Sequence, residues 1–102
     1  MSRFVVAGKV SEIPKQSAKL VELDGKPIAV FNLGGVFYAI GDVCTHEGGS
    51  LSEGTIHGEE VECPWHGAHF NIKSGHVVQD PATEGVARYT VRVVGENIEV
   101  EI

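Results

Sequence analysis

The sequence predicts an all-β protein, an antiparallel β-sandwich or partly open barrel with a small loop-rich subdomain inserted near residues 43–69. Abundant glycine (13 residues) with recurrent valine and isoleucine favours strands and turns over helices. Short β-type runs recur along the chain, separated by turn signals. No stretch carries a helical period of convincing length, and no repeat is visible. At 102 residues the chain is one domain, large enough for one modest core.

Each element has its own warrant. Residues Phe4 to Val10 read as a first strand with Gly8 as a candidate bulge, and Ser11 to Ser17 is a polar connection containing Pro14. Ala18 to Leu23, Pro27 to Leu33 and Val36 to Ile40 form a meander turned at Asp24-Gly25 and Gly34-Gly35, both hairpin signals. Val43 to Leu51 is loop-like. Thr55 to His57 and Glu60 to Glu62 make a hairpin around Gly58, and Cys63 to His69 is a second loop. Phe70 to Ile72 and His76 to Val78 make another hairpin, followed by a loop from Gln79 to Gly85. Arg88 to Val94 and Ile98 to Ile102 are the last strands, turned at Gly95-Glu96-Asn97. The final run alternates apolar and acidic residues, as one buried and one wet face require.

Charge is distributed unevenly. The formal net charge is −6, and no lysine or arginine lies between Lys26 and Lys73. That interval holds Asp42, Glu47, Glu53, Glu59, Glu60 and Glu62, while the eight basic and eight remaining acidic residues outside it balance. Singly, each of these carboxylates reads as a solvated loop residue. Together they make an acidic field that repels nucleic acid and steers toward a basic protein surface. Apolar runs such as Phe4 to Gly8 fall far short of the ~20 residues that span a membrane. No signal-peptide stretch opens the chain, so a cytoplasmic protein is expected, and its two cysteines read as metal ligands rather than a disulfide.

Both cysteines lie in short motifs with a histidine. Cys44-Thr45-His46 is followed, after sixteen intervening residues, by Cys63-Pro64-Trp65-His66. Two thiolates and two imidazoles suit iron–sulfur or zinc chemistry. Zinc fingers space their ligands C-x2–4-C and H-x3–5-H, and neither spacing occurs. The mixed C-x-H…C-x-x-H pattern is that of a [2Fe–2S] cluster in which two histidines replace two cysteines on one iron. With two thiolates such a cluster is neutral when oxidised and carries −1 when reduced, a one-electron device. Gly48, Gly49 and Gly67 would let backbone N–H groups approach its sulfides.

Other polar residues are assigned more plainly. His57 and His76 read as surface or hairpin residues, whereas His69 lies close enough to the ligand loop to influence a cluster. Trp65 either shields the cluster, forms part of a docking face or covers its loop, and Glu47 biases docking beside His46. No nucleophile–base pair and no phosphate-cradling glycine motif stands out. The chain is expected not to be an enzyme.

Residues 43–70, from Val43-Cys44-Thr45-His46-Glu47-Gly48-Gly49 to Cys63-Pro64-Trp65-His66-Gly67-Ala68-His69-Phe70, resemble the cluster-binding motifs of Rieske-type ferredoxins. These are the small electron carriers of bacterial multicomponent aromatic-ring dioxygenases. Asp80-Pro81-Ala82 resembles that family's proline-containing loop beside the cluster. The resemblance implies a single Rieske domain over residues 1–102, with a base part at about 1–42 and 70–102 and a cluster-binding part at about 43–69. It implies that Cys44 and Cys63 bind one iron and His46 and His66 the other. The implied role is that of a monomeric carrier taking electrons from a flavin-containing, NADH-dependent ferredoxin reductase to a terminal oxygenase.

Departures from the respiratory Rieske proteins narrow the expectation. Gly49 and Trp65 stand where that branch carries the cysteines of an extra disulfide. Ala68 and Phe70 stand where it carries a serine and a tyrosine that donate to sulfur. Donors to sulfur raise the potential, so their absence predicts a midpoint near the low end of the Rieske range, roughly −150 mV. Two alternatives remain, the small subunit of a nitrite reductase or similar oxidoreductase complex, and a structural zinc site.

Overall fold

Ile28-Ala29-Val30-Phe31 is apolar at four consecutive positions, and a strand of that pattern needs cover on both faces. The structure is a computed structural model that describes residues 3–43, 50–64, 68–79 and 85–102. Its strands are β1 (Phe4–Lys9), β2 (Ser17–Leu23), β3 (Lys26–Leu33), β4 (Val36–Gly41), β5 (Thr55–His57), β6 (Glu60–Glu62), β7 (His69–Asn71), β8 (Val77–Gln79), β9 (Arg88–Tyr89), β10 (Val91–Val94) and β11 (Asn97–Glu101). Two 3-10 turns, Val10–Glu12 and Leu51–Glu53, complete the regular structure of the described residues. The all-β expectation holds.

The strands form three antiparallel sheets: β1-β11-β10, β2-β3-β4-β9 and β5-β6-β7-β8. The second sheet is the middle layer. One of its faces sends Ile28, Val30 and Ala39 against Ile98 and Val100 of the first sheet. Its other face sends Ala29, Phe31 and Ile40 against Leu51, Val61, Phe70 and Ile72, on and beside the third sheet. Successive residues of β3 thus serve different cores, which is why that strand shows no apolar–polar alternation.

Turn chemistry places the hairpins where expected. Asp24 (φ 54°) and Gly25 (φ 77°), and likewise Gly34 (φ 65°) and Gly35 (φ 99°), put both central residues in the left-handed region, as a type I′ turn requires. In β1 the register slips between Val6 and Gly8, so the candidate bulge is real. In β11 the predicted alternation appears as buried Ile98 and Val100 between half-buried Glu99 and Glu101.

Two expectations are corrected. The run Arg88 to Val94 is not one strand. It pairs with β4 at Ala39↔Tyr89 and Ile40↔Arg88, then leaves at Thr90 and pairs with β11 from Val91↔Val100 onward. The two sheets stack face to face, so a chain serving both must break its ladder while crossing between them. The hairpin after residue 68 has a wider turn than expected, its first strand lying one residue earlier, at His69–Asn71, and its second one residue later, at Val77–Gln79. Asn71 starts its turn: the side-chain Oδ1 accepts the N–H groups of Lys73 (2.9 Å) and Ser74 (3.1 Å).

Candidate metal centre

The third sheet consists of three-residue strands. Segments 44–49, 65–67 and 80–84 lie outside the described residues, but the backbone flanking each is closed. Val43 and Ser50 form an antiparallel bridge, and the Leu51 N–H donates to the Asp42 carbonyl at 2.7 Å. The Cys63 N–H donates to the Ala68 carbonyl at 2.7 Å. The Val86 N–H donates to the Gly75 carbonyl at 2.8 Å, where a Cβ on Gly75 would press on the Val86 carbonyl oxygen. Only glycine fits that approach.

Of the four expected ligands, Cys63 is described. It follows β6 directly and is 1% exposed, in the same core as Leu51, Val61, Ala68 and Phe70. Ala68 and Phe70 are themselves fully buried, so the two positions expected to lack a hydroxyl donor line the surroundings of this thiol. Cys44, His46 and His66 lie outside the described residues, as do Glu47, Gly48, Gly49, Trp65, Gly67 and Asp80-Pro81-Ala82.

The carboxylates of the acidic interval differ sharply in setting. Asp42, expected to be solvated, is 4% exposed. Its Oδ2 accepts the Ser50 hydroxyl at 2.6 Å, and its Oδ1 accepts the Ser52 N–H at 2.8 Å. The motif left this clamp illegible because Ser50 and Ser52 lie on the far side of the ligand segment. One signal was available: an aspartate before the first ligand and two serines just after the loop.

Glu60 and Glu62 lie on the outer face of the third sheet, where cross-strand register sets them beside His57 and His69. His57 Nε2 is 2.9 Å from Glu62 Oε1, and His69 Nδ1 is 3.1 Å from Glu60 Oε1. The two imidazoles stack with centroids 5.5 Å apart. His57 is thus more than a bare surface residue, and His69 faces this cluster on the side away from the core. Glu59 pairs with Lys73 at 3.0 Å and, by hydrogen bond and charge, raises the Lys73 ammonium above its ordinary range.

The donor set and its setting fit a mixed-ligand [2Fe–2S] cluster. Cys63 is shielded from water, and backbone bonds close both segments that carry the other three candidate ligands. The family model of the Rieske [2Fe-2S] domain matches residues 3–90, and the chain belongs to that family. Its cofactor is accordingly a Rieske-type [2Fe–2S] cluster.

The chain is 40% identical over 100 residues to the 3-phenylpropionate/cinnamic acid dioxygenase ferredoxin subunit of Shigella boydii serotype 4 (strain Sb227), covering 96% of this chain and 92% of that protein. Among solved structures it is similar to the ferredoxin in a complex of reduced oxygenase and oxidized ferredoxin in carbazole 1,9a-dioxygenase. The TM-score there is 0.89, with 35% identity, 95% of this chain and 91% of that chain. It is also similar to a putative NADH-dependent nitrite reductase small subunit from Mycobacterium tuberculosis. That match has a TM-score of 0.89 at 25% identity, covering 100% of this chain and 96% of that one. The first two of these relatives are named as ferredoxins of dioxygenase systems, electron carriers rather than catalysts.

Proposed function

We propose that this chain is a one-electron carrier that takes electrons from a flavin-containing, NADH-dependent ferredoxin reductase and delivers them to a terminal Rieske oxygenase. Its ligands are Cys44 and Cys63 on one iron and His46 and His66 on the other. The carrier is a cytoplasmic monomer and one Rieske domain, with its base at about 1–42 and 70–102 and its cluster-binding part at about 43–69. When bound, the cluster supplies a couple that gains and loses a single electron. The chain holds it, keeps water from the thiolate side through the core around Cys63, and presents an acidic flank to a partner.

One observation carries the reading: Cys63 sits buried at the foot of a segment closed by its own N–H to Ala68, with the C-x-x-H histidine inside that segment. The nitrite reductase small subunit shares the fold. The dioxygenase ferredoxin is preferred because 40% identity over nearly the whole chain accompanies the complete four-ligand set. Reduction of the purified, cluster-loaded protein tests the centre. A red-brown protein with a rhombic signal on reduction and a midpoint of roughly −150 mV is expected. A colourless zinc protein, or a midpoint well above zero, overturns the reading. Reconstitution with candidate reductases and oxygenases then identifies the partners.

A further inference from the structure

Asp42 has no part in the ligand set, yet it is the most deeply buried carboxylate among the described residues, at 4% exposed. A carboxylate out of water needs a compensating use of its oxygens. Here Oδ2 accepts the Ser50 hydroxyl proton and Oδ1 the Ser52 N–H. The Ser52 hydroxyl lies 2.9 Å from Ser50 Oγ. Ser50 has a single proton, committed to Asp42, so Ser52 is the donor of that contact. Both carboxylate oxygens are thus in use as acceptors.

The backbone adds a third tie, Leu51 N–H to the Asp42 carbonyl at 2.7 Å, which is a bond of the Val43↔Ser50 bridge. Leu51 is fully buried in the core that holds Cys63. Asp42 therefore joins the two ends of the segment bearing Cys44 and His46 to the wall around Cys63.

We propose that Asp42 is a positioning residue of the cluster. Its carboxylate latches the base of segment 44–49 through Ser50 and Ser52, and its charge lowers the cluster's reduction potential. The inference rests on the ligand assignment above and deepens it. Reduction adds a negative charge, and a fixed anion two residues from Cys44, screened little by solvent, opposes that addition. The latch acts separately, because it ties residues 42–43 to residues 50–52, on either side of the ligand segment.

Two substitutions separate these roles. Asp42→Asn keeps the side-chain shape and an acceptor for the Ser52 N–H while removing the charge. Ser50→Ala keeps the charge and removes the central link. In cluster-loaded protein, Asp42→Asn is expected to shift the midpoint upward, beyond the error of the titration, with the visible spectrum of a mixed-ligand cluster retained. Ser50→Ala is expected to hasten cluster release to a chelator several-fold while moving the midpoint much less. An unchanged midpoint in Asp42→Asn overturns the electrostatic role, and unchanged release in Ser50→Ala overturns the latch. If Asp42→Asn fails to load, Asp42→Ser supplies the test, since it also deletes the charge while keeping an oxygen acceptor. A midpoint shifted upward from the parent's then supports the electrostatic role, and one at the parent's value overturns it. A parent protein with no cluster spectrum would instead defeat the ligand assignment, which keeps the two failures apart.

Discussion

The base sheets, β1-β11-β10 and β2-β3-β4-β9, and the third sheet beside the metal centre are built by opposite means. In the base, β2 and β3 pair over seven residues from Ser17↔Asn32 to Leu23↔Lys26, and apolar layers cover both faces of the middle sheet. The third sheet pairs over three residues or fewer at each step. Strands that short are not stable alone. This sheet persists because Val61, Phe70 and Ile72 pack on the middle layer and because backbone bonds close its connections. The base is a scaffold held by its own core, whereas the third sheet borrows stability from that scaffold.

The comparison is broken or sharpened most severely at Cys63. Cys63→Ala is expected to abolish the visible absorption of the cluster completely while far-UV circular dichroism retains the β signal of the base. Loss of both together would show that the base depends on the centre. A step smaller are two buried side chains. Phe70→Ala, in the third sheet, is expected to cost about 3–5 kcal/mol, and Ile98→Ala, in the base, about 2–5 kcal/mol. On heating, Phe70→Ala should lose its cluster colour before its β signal, and Ile98→Ala should lose the two together. The reverse order would sink the comparison.

Glycines probe the same contrast more gently. A Cβ on Gly54 would meet the Glu62 carbonyl oxygen and lie 3.0 Å from Val61 Cγ2, so Gly54→Ala should cost about 1–3 kcal/mol. Gly95 (φ 62°) has no atom within 4 Å of such a Cβ, so Gly95→Ala carries only the left-handed penalty, about 1–2 kcal/mol. Chelator-driven cluster release should quicken in the first variant alone.

The smallest effects lie at the surface, at opposite ends of the pH scale. The Glu12 carboxyl in the base is lowered by the Lys9 N–H and then by Lys19. A lowered folded pKa makes its contribution complete above the ordinary carboxylate value of 4.5 and lost as pH falls through the lowered one. Lys73 beside the third sheet is raised by Glu59, so its contribution is complete below 10.5 and lost as pH rises through the raised value. Urea midpoints should therefore show Glu12→Gln converging with the parent in acid and Lys73→Met converging with it in alkali, both differences shrinking in salt.

What was legible in the sequence was local. Asp24-Gly25 and Gly34-Gly35 announce their hairpins, and the two Cys/His motifs announce the centre, because turn chemistry and ligand spacing act over a few residues. The crossing at Thr90 was invisible, since nothing in Arg88 to Val94 states that two different sheets await its halves. The burial of Asp42 was equally hidden. Its partners Ser50 and Ser52 are eight and ten residues away, and their approach depends on how segment 44–49 returns. The pairing of His57 and His69 with Glu60 and Glu62 required the register of three strands at once.

The pairing of β1 with β11, from Phe4↔Glu101 to Lys9↔Asn97, has a consequence for how the molecule forms. It joins strands far apart in the sequence, and such distant contacts are the slowest to close. During synthesis the β2–β4 meander can assemble from neighbouring residues as soon as it emerges. The first sheet must wait for β10 and β11, with Ile28, Val30 and Ala39 lacking the cover of Ile98 and Val100 until then. A nascent chain therefore carries both Cys/His motifs before β11 is made, so the motifs are available to an incoming cluster before the fold is complete.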